Sequence, residues 1–101
     1  MYLHFLQPNQ YVEGSKVLTA EERRIAWDAD VADAGRVASA YPLLIARGGE
    51  LVGQGVDFHD LTMLFRADAG DIYADTCCHF NQRGAERVAE AIAAAIVERT
   101  R

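Results

Sequence analysis

The chain opens on an apolar run and closes on an amphipathic one. Tyr2-Leu3-His4-Phe5-Leu6 is short, aromatic-rich and apolar, and it stops at Gln7-Pro8-Asn9, the pattern of a buried strand ended by a turn. Residues 9–18 show no period and read as a loop. Thr19-Ala20-Glu21-Glu22 is a capping box, in which the Thr19 hydroxyl accepts from the amide of Glu22 and the Glu22 carboxylate reaches back. The spacing predicts a helix from there to about Ala40, with Ile25, Val31, Ala34, Val37, Ala38 and Tyr41 on its apolar face. Pro42 is expected to end it or to open a second helix at its first turn. That second segment, Leu43 to about Val52, is weakened by Gly48-Gly49 and closed by Gly53 and Gly55.

Val56-Asp57-Phe58 predicts a second short strand, Asp60 to Phe65 a brief helical turn, and Ile72-Tyr73-Ala74 an extended lead-in to a polar turn. The last helix is expected from about Gln82 to Arg99, capped by Asn81, with Val88, Ala89, Ile92, Ala95 and Ile96 along one side. Strand, long helical connection, strand, helix is an α/β order with a parallel pair, in one unit over residues 1–101. An apolar strand wants neighbours on both edges, and two parallel strands make a thin sheet. The pattern is therefore that of the end of a larger doubly wound domain.

Composition narrows this only a little. A chain of 101 residues, 50% apolar and 25% charged, is an ordinary globular unit too short for two domains. Its net charge of −5 gives nucleic-acid binding no electrostatic support. No stretch approaches the roughly 20 apolar residues of a membrane span, and the first residues lack the basic start and cleavage site of a signal peptide. A chain that truly began at Met1 would be expected in the cytoplasm; otherwise the compartment stays open. Cys77 and Cys78 are adjacent, and a bond between neighbouring cysteines is strained, so free thiols are expected.

The chemistry concentrates in Asp75-Thr76-Cys77-Cys78-His79, where a carboxylate and an imidazole stand four residues apart just before a helix start. A carboxylate beside a histidine fixes its tautomer and stabilises its protonated form, which suits the histidine to general-base work. The plainer alternatives are a turn carboxylate satisfying backbone amides and a histidine capping the last helix. Asp57, His59 and Asp60 form a second polar group, expected at a strand exit where they could share a crevice with His79. Gln7, at the end of the first strand, and His59 are the weaker candidates for substrate contact. Trp27 reads as helix packing, His4 as a core histidine, and Glu21-Glu22-Arg23-Arg24 as a solvated helix face.

These residues resemble the C-terminal portion of an SGNH hydrolase, the GDSL-type esterases and lipases. The resemblance is carried by Leu3 to Pro8, by Lys16 to Glu22, by Phe58-His59-Asp60-Leu61-Thr62 with Phe65, and by Tyr73-Ala74-Asp75 through His79 with Gly84, Val88 and Ala89. It covers nearly all of the chain but only the back part of the family's domain. It implies a partial flavodoxin-like three-layer fold, short parallel strands with packed helices, and hydrolysis of carboxylic esters through a Ser-His-Asp triad without a cofactor. His79 would be the general base and Asp75 its orienting carboxylate, with a small-molecule or glycan ester as the substrate of the complete protein. The family's commonest spacing puts Asp three residues before His; here it is four, so one extra residue must be absorbed in the turn.

The family's nucleophile lies in a Gly-Asp-Ser-like motif. The serines of this chain, Ser15 in a loop and Ser39 in a helix, do not resemble it, and the oxyanion-hole Gly and Asn have no counterpart. The chain alone is therefore expected to be inactive. The rival expectation is a non-catalytic α/β module that associates through its opening strand, with itself or with a missing N-terminal part. A weaker third is a metal site on Asp57, His59 and His79; no metal is implied by the resemblance.

Overall fold

β1 (His4–Leu6) and β2 (Phe58–Asp60) pair in parallel, His4 with Phe58, Phe5 with His59 and Leu6 with Asp60. The computed structural model describes residues 1–101 and shows an α/β protein of three helices, α1 (Ala20–Ile25), α2 (Ala32–Gly53) and α3 (Gln82–Arg99), around this two-stranded sheet. No helix is long and apolar enough to cross a membrane. β2 lies two residues later than the pattern predicted, because Val56 is used to close α2 by donating to the Leu51 carbonyl.

The single helix expected from Thr19 to about Ala40 is broken after Ile25. Its capping box forms as predicted, but Asp28 then builds a turn of its own: its carboxylate accepts from the Asp30 amide at 2.9 Å, and its carbonyl accepts from Val31 at 3.3 Å. Local bonding by an Asp side chain competes with helix in this way. The chain restarts at Ala32 and runs unbroken through Pro42. Proline removes one helical amide, but Pro42 and Ala38, whose carbonyl loses its partner, both face solvent, where water can satisfy it. The buried and half-buried positions Ala34, Val37, Tyr41, Ile45, Gly48 and Leu51 continue at helical spacing across the proline.

Gly48 weakens the helix in principle and makes its docking possible in fact. A Cβ there would stand 2.1 Å from the Phe58 ring, so only glycine lets α2 lie this close to β2. The core sits beside the sheet. Ala26, Phe65, Ile72 and Tyr73 are sealed from water, with Leu18, Ile25, Leu64, Phe80 and Val88 packed around them. Complete burial of a side chain such as Phe65 is worth about 1.5–3 kcal/mol.

Glu22 is the main departure from the predicted solvated face. It is fully buried, and one carboxylate serves four donors. Oε1 accepts from Lys16 Nζ at 2.6 Å and from the Thr19 amide at 3.0 Å; Oε2 accepts from the amides of Ile72 and Tyr73, each at 3.1 Å. Burial by itself would raise its pKa, but Lys16 and these amides outweigh burial and hold it below its ordinary value. Glu22 thus ties the start of α1 to the segment that leads into the polar turn.

The rest of the molecule is thin. Its radius of gyration is 14.2 Å, against about 12.7 Å for a compact domain of this length. Its surface of 6284 Å² exceeds the roughly 5,700 Å² typical of a monomer of this mass. Met1, Tyr2, Leu43, Leu44, Val52, Ile96 and Val97 all stand in solvent.

Candidate active site

The polar turn is pinned at its base by a small antiparallel bridge between Tyr73 and Phe80. The Ala74 amide donates to the His79 carbonyl at 2.9 Å, and the Asn81 amide donates to the Ile72 carbonyl at 2.6 Å. Asn81 also caps α3, accepting from the Gly84 amide at 2.8 Å, so the turn and the helix share one fixed point. Gly84 has no Cβ to collide with Ile72 and Phe80, which lets the helix start directly on the core.

Inside the turn, Asp75 Oδ2 lies 2.5 Å from His79 Nδ1. Its other oxygen accepts from the amides of Cys77 at 3.0 Å and His79 at 3.4 Å. Burial pushes the Asp75 carboxyl up, but the His79 hydrogen bond and the two amides prevail and hold it below its usual value. With Nδ1 engaged, the His79 ring turns Nε2 outward. The His79 side chain is 79% exposed and that of Asp75 48% exposed, so the pair stands on an open surface with no opposing wall. Five shallow cavities mark the surface, and neither Asp75 nor His79 lines any of them.

The underside of the turn rests on residues that the sequence reading passed over as a loop. Asn9, Gln10, Tyr11, Val12 and Ser15 are all buried, although the segment has no regular structure. Gln10 Nε2 donates to the carbonyls of Asp75 at 2.9 Å and Ala26 at 3.2 Å, while its Oε1 accepts from the Cys78 amide at 3.3 Å. The Tyr11 hydroxyl donates to the Thr76 carbonyl and accepts from the Asp28 amide. Asn9 Nδ2 reaches Cys78 Sγ at 3.4 Å. The one available signal was position: polar side chains just beyond the carboxyl end of a parallel strand are where crevices form.

The extra residue between Asp75 and His79 is absorbed at Cys78, which has φ +81° and is the one non-glycine residue of the chain in the left-handed region. An L residue there costs roughly 1–2 kcal/mol. Contrary to the expectation of free thiols, Cys77 and Cys78 are bonded to each other.

The other predicted residues lie elsewhere. Gln7 is exposed beyond β1, where its carbonyl accepts from Tyr41. His59 Nε2 lies 2.7 Å from Asp57 Oδ1, and its ring stacks on Phe5 with centroids 5.0 Å apart. Arg99 Nε stands 3.1 Å from Asp57 Oδ2, off the hydrogen-bonding line, so that oxygen has a cation beside it and no hydrogen bond. Arg99 ends α3 and Asn81 begins it, which separates the two Asp–His pairs by most of a helix ~27 Å long. The crevice expected to hold both does not form, and a metal site on Asp57, His59 and His79 fails on the same separation. Ser15 Oγ is buried on the Asn9 carbonyl at 3.0 Å, and Ser39 Oγ is bonded within α2 to the Gly35 carbonyl at 2.9 Å.

No protein-family description, no curated protein and no solved structure matches the chain.

Proposed function

We propose that Asp75 and His79 are the carboxylate and general base of a Ser-His-Asp triad of SGNH type. In this reading residues 1–101 form the C-terminal part of a flavodoxin-like, doubly wound esterase domain. The observation that supports it is the single contact of Asp75 Oδ2 with His79 Nδ1 at 2.5 Å, with the imidazole otherwise open. In ester hydrolysis, Nε2 takes the proton of a serine hydroxyl as it attacks the ester carbonyl, and returns it to the leaving alkoxide. Asp75 holds the ring and stabilises the imidazolium. Serine and oxyanion donors would come from chain outside this sequence, facing the open side of His79.

The test begins with the gene. An in-frame extension upstream of the Met1 codon, roughly 100 residues or more with a strand followed by Gly-Asp-Ser, supports the reading. The joined protein should then cleave short p-nitrophenyl esters, while the 101-residue chain should not exceed buffer. A stop codon directly upstream, with no separate chain restoring activity, overturns it.

The second reading is a small module that associates through its open strand edge. It is favoured by the two-stranded sheet and by Met1 and Tyr2 standing in water next to β1. A discrete dimer in light scattering, lost on Phe5→Lys, would select it.

A further inference from the structure

The two sulfurs of Cys77 and Cys78 are joined within the segment that links Asp75 to His79. We propose that this bond is a reversible oxidation site whose state sets the Asp75–His79 geometry. The inference rests on the proposed function for its use, while its chemistry stands on the turn alone.

Both ends of the turn are fixed from outside. The Asp75 carbonyl is held by Gln10 at 2.9 Å and the His79 carbonyl by Ala74 at 2.9 Å. Only Thr76, Cys77 and Cys78 lie between, so a change at Cys78 is delivered to the residue beside it. Cys78 is kept at φ +81° by its bond to Cys77 and by two further contacts, its amide to Gln10 at 3.3 Å and its sulfur to Asn9 at 3.4 Å. An N–H···O bond of that length and a bond to a sulfur acceptor both hold weakly. The disulfide is the covalent restraint, and it also sets where the Asn9 contact falls. Once it opens, each side chain recovers its own rotamers and Cys78 relaxes to the ordinary α or β region. That rotates the peptide joining it to His79, carries the His79 Cα–Cβ bond with it, and breaks the 2.5 Å contact. Both cysteines are half-buried at the surface, within reach of a small reductant.

The chemistry balances with a dithiol as reductant. One of its thiolates attacks a cysteine sulfur, the Cys77–Cys78 bond breaks, and a mixed disulfide forms; the second thiolate attacks the reductant's own sulfur and releases the protein. Two electrons pass to the protein, two protons finish on the cysteine sulfurs, and the dithiol leaves as a cyclic disulfide.

The experiment follows the imidazole nitrogens of His79 by NMR in the purified chain, with and without excess dithiothreitol, while thiols are counted by alkylation. The chain isolated without reductant should show no reactive thiol after denaturation, and a single Nδ1-protonated His79. Dithiothreitol should expose two thiols and shift His79 toward a mixture of tautomers, reversibly on reoxidation. His59, at the far end of α3, should not move. The variant Cys77→Ser with Cys78→Ser should give the reduced pattern in either condition. Two thiols at the outset, His79 signals that stay put as thiols appear, or His59 shifting alongside His79 would each overturn the proposal. An upstream stop codon with no separate chain restoring activity would remove the esterase reading and leave this one; unmoved His79 signals would do the reverse.

Discussion

Asp75–His79 and Asp57–His59 join the same two side chains at 2.5 and 2.7 Å, but their surroundings give them different capacities. Asp57 has Arg99 beside it, and His59 is engaged through Nε2 while its ring is spent on Phe5. Asp75 has no Lys or Arg beside it, and His79 is engaged through Nδ1 with the rest of the ring in water. Asp57–His59 ties β2 to the end of α3. Asp75–His79 engages the ring through Nδ1 and leaves its other nitrogen toward water. A close Asp–His contact is thus no site by itself; what matters is which nitrogen is taken and what else claims the carboxylate.

If Asp75 and His79 serve a triad as proposed, the sharpest way to break this contrast is to delete each imidazole in a protein that also carries the serine. His79→Ala should lower kcat for ester hydrolysis by roughly 10²–10⁴-fold, the usual contribution of a general acid–base group. His59→Ala should leave kcat within about twofold. Equal losses would erase the distinction.

The scaffold beneath Asp75–His79 offers the next test. Glu22→Ala leaves Lys16 buried without its partner and strips an acceptor from Ile72 and Tyr73. Breaking a buried pair this way costs about 3–5 kcal/mol, read as a lower urea midpoint. Gly48→Ala works on the other side of the molecule. Its methyl meets the Phe58 ring, so a loss of about 1–3 kcal/mol is expected, with NMR shifts around His59 and none at His79.

The smallest effect is on pH. The Asp75 carboxyl is held below its ordinary value, so its contribution is complete above the unfolded carboxylate value, about pH 4, and is lost as pH falls through the lower folded value. The stability gap between the natural chain and Asp75→Asn should therefore shrink in acid urea titrations run from pH 6 toward pH 2. A gap that widens would place the stabilising proton on the wrong side of the equilibrium.

What the sequence disclosed was local. The Thr19 capping box, the Asn81 cap, the span of α3 and the Asp75–His79 contact all depend on residues within a turn of one another, and each is present. What it hid was long-range. Glu22 reads as surface because its amide partners lie 50 and 51 residues away. Pro42 and Gly48 read as helix breakers because only the packing of α2 against β2 and the solvent around Pro42 make them tolerable. The cradle from Asn9 to Ser15 has no period to detect, since its order comes from side-chain bonds to a distant turn.

Gln10 has a consequence for how this protein can evolve. Its one amide group offers two donors to carbonyls on different segments and an acceptor to a third, all at once. Glutamate has no proton to offer at neutral pH, asparagine is a methylene short, and methionine and leucine carry neither function. No single neighbouring substitution replaces it, so drift at position 10 should halt wherever the turn is kept. Among relatives that vary freely at the solvent-facing ends of α2 and α3, this inconspicuous loop residue should stand as still as His79.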